Sequence, residues 1–122
     1  MTEKLEGRKL ILCDLDGCIL HHYGDLNTLA NSPTILLDGV REKLNEWYLQ
    51  DYKIIFTTGR QESMREFTEQ QLARHNIFFH SLVMDVGRGA RVVINDRKPD
   101  SDIDTAIAVN LTRNVGMEGL DV

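Results

Sequence analysis

Three short apolar runs in this chain each stop at a polar, chemistry-bearing step. Lys9-Leu10-Ile11-Leu12-Cys13 stops at Asp14, Tyr52-Lys53-Ile54-Ile55-Phe56 at Thr57-Thr58-Gly59-Arg60, and Arg91-Val92-Val93-Ile94 at Asn95-Asp96. Short runs rich in β-branched and aromatic residues suit strands buried in a parallel sheet. Phe78-Phe79-His80-Ser81-Leu82-Val83-Met84 and Ala106-Ile107-Ala108-Val109-Asn110 are further strand candidates. Val40, Leu44, Trp47 and Tyr48 recur at helical spacing and predict a helix to about Gln50, capped by Asp38 or Gly39. Met64, Phe67, Leu72 and Gln71 predict another over 61–75. Strands separated by helices pair in parallel through right-handed crossovers and gather ligands at their carboxyl ends. The expected class is therefore α/β, a Rossmann-like three-layer sandwich with a mainly parallel sheet of about five strands.

A chain of 122 residues sustains one core, so residues 1–122 are read as a single domain. Gly17, His21, His22, Gly24, Asp25, Asn27, Asn31 and Pro33 break up the segment 18–37, which reads as a turn, a loose hairpin or a flap. The formal charge of −5 argues against broad affinity for nucleic acid or an anionic membrane and leaves room for a small anionic substrate where cations gather. No stretch approaches the ~20 apolar residues of a membrane span, and Met1-Thr2-Glu3-Lys4 lacks the apolar run of a signal peptide, so a cytoplasmic location is expected. Cys13 and Cys18 match neither redox nor zinc-ligand spacing and are read as buried or half-buried thiols.

In a parallel sheet, Asp14-Leu15-Asp16-Gly17, Thr58-Gly59-Arg60 and Asn95-Asp96 would converge on one crevice. A turn at Gly17 can present both carboxylates of Asp14 and Asp16, with free backbone N–H groups, to an anion. Carboxylates so crowded repel one another unless a hard cation lies between them, and magnesium suits both them and an approaching phosphate. Adjacent His21 and His22 on an extended segment point opposite ways, which argues against zinc and for substrate contact.

These residues resemble a known family. Asp14-Leu15-Asp16-Gly17-Cys18-Ile19 is similar to the first signature of the haloacid dehalogenase superfamily, Thr57-Thr58-Gly59-Arg60 to its second and Asn95-Asp96-Arg97-Lys98-Pro99-Asp100 to its fourth. The resemblance implies a phosphomonoesterase in which Asp14 is the nucleophile and Asp16 the general acid and base, while Thr58 and Gly59 bind phosphate. It implies that Asp14, Asp16 and Asp96 hold magnesium, with Asp100 and Asn95 around it. The third signature, a basic residue, is open between Arg88, Arg91 and Lys98, with Arg88 preferred because Gly87 and Gly89 make it a loop residue, and Lys98 second. His21, His22 and Arg60 are candidates for substrate contact. The length leaves no room for a cap domain, and capless relatives either cover their sites with neighbouring subunits, which would make this chain a homodimer or homotetramer, or act on large open substrates. A narrower similarity to phosphatases of capsule and surface-sugar pathways makes a sugar phosphate the expected substrate.

The enzymatic alternative is a nucleotide or polynucleotide 3′-phosphatase. From another class, the chain could be a phospho-accepting switch, for which Asp85 is the sole candidate acceptor, or an inactive oligomeric binding module. Asp-x-Asp-Gly on its own marks an ordinary turn; it gains meaning only with the other two strand-end motifs.

Overall fold

The computed structural model describes residues 6–122, so the polar leader at 1–4 lies outside the described residues. β1 (Leu10–Asp14), β2 (Lys53–Thr57) and β3 (Ser81–Val83) form a parallel sheet in the order β1-β2-β3. β1 reaches β2 through α1 (Leu26–Ala30) and α2 (Val40–Leu49); β2 reaches β3 through a 3-10 turn (Glu62–Met64) that runs into α3 (Arg65–Arg74). The two predicted long helices and the first three predicted strands are thus present, with ends shifted by a few residues. Among the described residues no helix is long and apolar enough to cross a membrane.

Alternation along the strands decides the core. Ile54 and Phe56 of β2 are fully buried, as is Leu82 of β3, and they meet Val40, Leu44 and Trp47 of α2 and Leu72 of α3 in one cluster. Trp47 is a core residue. Because the strand order advances in one direction, right-handed crossovers put α2 and α3 on the same face. The opposite face keeps Leu10 and Leu12 half exposed. The expected three-layer sandwich is therefore not shown: a third layer needs the chain to reverse its direction across the sheet, and it does not.

The strands expected at 91–95 and 106–110 are likewise absent among the described residues, and Val92 and Ile94 are 81% and 90% exposed. Their absence has a covalent reason. Residues 84–90 are all that separate β3 from Arg91, whereas a parallel neighbour needs a crossover of roughly a dozen residues. The second run is reached through Pro99 and through Asp100 at φ 62, neither of which continues a helix.

The segment 18–37 is a flap. Leu20 bridges Leu36 in antiparallel fashion, His21 N–H donates to Ile35 O and Leu37 N–H to Ile19 O, and α1 closes the far end. Asp25 caps α1 by accepting from Thr28 N–H at 2.8 Å.

Candidate phosphoryl site at the strand ends

Register brings the first two motifs together. Asp14 pairs with Thr57 across β1 and β2, Leu15 N–H donates to Thr57 O at 3.0 Å, and Thr58 N–H donates to Val83 O at 3.0 Å. Asp14 and Thr58 therefore sit on neighbouring strand ends at the carboxyl edge. Thr58 is 1% exposed; its Oγ1 accepts from Arg60 N–H at 3.1 Å, which leaves the hydroxyl hydrogen to donate. Gly59 is required by close approach, since a Cβ there would stand 3.0 Å from Gly87 O.

Burial pushes the Asp14 carboxyl above the usual aspartate range, and the nearby charge of Asp16 adds to it, whereas Arg91 and His22 pull the other way. The positive charge of Arg91 thus reaches Asp14 and favours its ionised form. Arg91 is held there by donating to Gly87 O at 2.8 Å and Gly89 O at 2.7 Å, the two glycines that made Arg88 attractive. Arg88 lies close by, its Cγ 3.8 Å from where a Gly59 Cβ would be. His22 belongs to the site through the flap, while His21 stacks edge-on against Tyr23 at 4.7 Å between ring centroids.

Arg60, expected from the sequence as a candidate for substrate contact, is turned inward. Its side chain is 3% exposed and grips Asp16 in a fork, Nε to Oδ2 at 3.0 Å and a terminal nitrogen to Oδ1 at 2.7 Å. Its other terminal nitrogen donates to Thr68 Oγ1 at 2.9 Å and Gln71 Oε1 at 2.6 Å, and Gln71 Nε2 donates onward to Thr34 Oγ1 of the flap at 2.8 Å. The β1 loop, the β2 loop, α3 and the flap are thereby tied into one buried network. The sequence carried a signal for it: Thr68 and Gln71 are polar residues on the inner face of α3, and a polar inner face needs a buried polar partner.

The turn after Asp14 also differs from expectation. Gly17 adopts φ 92, as a tight turn requires, but its N–H donates to Leu20 O at 2.7 Å, and the N–H groups of Ile19 and Leu20 both return to Leu15 O. These donors serve the turn. Cys13 and Cys18 are half-buried; Cys13 Sγ donates to Asp14 O at 3.3 Å, and the interaction of the two thiols pushes Cys13 above and Cys18 below an ordinary thiol.

The fourth motif stands apart. Asp96, Lys98 and Asp100 are exposed in a loop bonded to itself: Asn95 Nδ2 donates to Thr105 O at 3.4 Å, Thr105 Oγ1 donates to Asp96 O, and Arg97 pairs with Asp104 at 2.7 Å. Among the described residues no group of three or more His, Cys, Asp or Glu is arranged to hold a metal ion. The expected set of Asp14, Asp16 and Asp96 is therefore not assembled. A hard cation needs several oxygen ligands, and both Asp16 carboxylate oxygens are already taken by Arg60, so the residues in this arrangement do not fit magnesium. Without strands at 91–95 and 106–110, nothing carries Asn95, Asp96 and Lys98 to the carboxyl edge in this structure.

No protein-family model and no curated protein matches the chain. Among solved structures, a chain of the Pnkp1/Rnl/Hen1 complex is 30% identical with a TM-score of 0.56 over 73% of this chain and 32% of its own. A chain of the Pnkp1/Rnl/Hen1 RNA repair complex is 30% identical with a TM-score of 0.55 over 69% of this chain and 28% of its own. The fold is similar to part of an RNA-repair assembly. This chain spans about a third or less of the length of those neighbours.

Proposed function

We propose that this chain is a haloacid-dehalogenase-type phosphomonoesterase that removes phosphate from a nucleotide or a polynucleotide 3′ end. The observation that carries the reading is the pairing of Asp14 with Thr57, which sets a carboxylate, the Thr58 hydroxyl and the charge of Arg91 at one strand edge. The similarity to chains of an RNA repair complex supports a nucleotide over the sugar phosphate that the sequence alone favoured.

In this reading an Asp14 oxygen attacks phosphorus and the bond to the nucleoside oxygen breaks; that oxygen takes its proton from Asp16, which has to leave the Arg60 fork and be protonated for this step. Water then attacks phosphorus of the aspartyl-phosphate and passes its proton to Asp16; inorganic phosphate leaves and Asp14 is regenerated. Arg60 fixes the plane of the Asp16 carboxylate, Thr58 donates to a phosphoryl oxygen, and Arg91 offsets the charge that accumulates there. No step is drawn through magnesium, because the carboxylates that the resemblance assigns to it are not brought together in this structure.

Phosphate release from 3′-phosphorylated nucleotides, 3′-phosphorylated oligonucleotides and a panel of sugar phosphates tests the reading. Nucleotide ends are expected to exceed every sugar phosphate by at least about tenfold in kcat/KM, and Asp14→Asn to abolish release. A stable acyl-phosphate without turnover would instead mark a switch, and no reaction a binding module.

A further inference from the structure

The segment after Leu111 closes over the β1 loop. Asn114, at φ 64, donates its main-chain N–H to Gly17 O at 3.0 Å, while its side-chain amide accepts from His22 N–H at 2.7 Å and donates to His22 O at 3.2 Å. Three hydrogen bonds therefore pin this stretch to both the turn and the start of the flap. The clamp fixes the residue before it: the stem of Arg113 lies across Gly17, where an added Cβ would stand 3.2 Å from Arg113 Cγ and 3.8 Å from Nε.

Arg113 is exposed, and among the described residues no carboxylate pairs with it, which it shares with Arg41, Arg74, Arg88 and Arg91; its place against Gly17 is what sets it apart. Its charge is felt at Cys18, on the far side of the turn, while Asp14 feels Arg91. Arg91 is held by the Gly87 and Gly89 carbonyls, while the Arg113 stem lies against Gly17, three residues along the β1 loop from Asp14. A fixed, unpaired guanidinium in that place is matched by an anion one linkage away from the reacting phosphorus.

We propose that Arg113 binds the phosphodiester adjoining the terminal phosphate, so that the site prefers a polynucleotide end to a free nucleotide. The inference rests on the nucleotide-phosphate reading of the Asp14 site and adds to it a second phosphate position.

The test separates binding from turnover. In Asp14→Asn protein, the affinity of a fluorescein-labelled, 3′-phosphorylated hexanucleotide is measured by anisotropy across a salt series, and that of a 3′-phosphorylated mononucleotide by competition. Adding Arg113→Ala is expected to weaken the hexanucleotide about tenfold, weaken the mononucleotide by less than about threefold, and flatten the salt slope by about 0.7, the value of one phosphate contact to a single strand. Arg113→Lys is expected to restore the slope. Equal losses for both probes, an unchanged slope, or no hexanucleotide binding by the Asp14→Asn protein would each overturn the inference. Phosphate release by the unaltered protein is read separately: its absence alongside the expected binding differences would overturn the phosphatase reading and leave the Arg113 contact standing.

Discussion

The guanidinium of Arg60 makes four hydrogen bonds from a side chain that is 3% exposed, two to Asp16 and one each to Thr68 and Gln71. Removing it takes the Arg60 partner from the Asp16 carboxylate, Thr68 Oγ1 and Gln71 Oε1, and breaking a buried ion pair on one side costs roughly 3–5 kcal/mol. Arg60→Ala is expected to lose stability on that scale in urea unfolding, and Arg60→Lys to recover less than half, because an ammonium cannot reproduce the fork. Asp14 behaves in the opposite sense. Burial raises its carboxyl above the usual range, so the fold holds the proton more tightly than the unfolded chain does. Its favourable contribution is complete below the ordinary aspartate value and is lost as pH rises through the raised value. Asp14→Asn should therefore increase Tm at pH 7, by a margin that shrinks as pH falls through this window; thermal unfolding followed by circular dichroism from pH 3 to pH 7 checks it.

At the scale of elements, the C-terminal tail and the start of α2 meet backbone to backbone. Met117 N–H donates to Asp38 O at 2.7 Å, and Met117 is buried in the core cluster. A Cβ on Gly116 would stand 2.2 Å from Asp38 O, and one on Gly39 would stand 2.5 Å from Glu118 N; both glycines have positive φ. Gly116→Ala is expected to cost well over the ~1 kcal/mol that conformation alone would exact at a positive φ, because main chain must also move. Equilibrium denaturation of this variant measures the cost. The same contact explains why Gly39 rather than a side-chain cap opens α2: the helix start is set by the tail packed on it.

At the scale of the whole molecule, the open question posed by the fold is the distance of the fourth motif from Asp14. If the loop at 95–105 moves to the strand edge and brings together the carboxylates that the resemblance assigns to magnesium, chelating divalent cations should abolish phosphate release and magnesium should restore it. Asp96→Ala should weaken the magnesium response by at least about tenfold if the loop at 95–105 moves to the strand edge. An unchanged response would assign the metal to Asp14 and main-chain oxygens without Asp96. Metal titrations of both proteins, read by phosphate release, decide between them.

Much of this was legible in local sequence. The apolar runs at 9–13 and 52–56 and the helical spacing at 40–50 and 61–75 located β1, β2, α2 and α3, because burial of a strand or a helix face imposes its own period. The abrupt polar endings put Asp14 and Thr58 at the carboxyl edge for the same reason. Other features depended on contacts between distant segments: Arg60 turned inward to Asp16, the charge of Arg91 reaching Asp14, and Arg113 laid on Gly17. The runs at 91–95 and 106–110 have the composition of strands, yet composition cannot supply the crossover that a parallel neighbour needs, and residues 84–90 are too few to make one. Sequence by itself determined which segments become elements and which residues stand at their ends. Only the tertiary structure decided which charges face one another, since pairing is set by register, turn geometry and chain length between elements, none of which has a period to read.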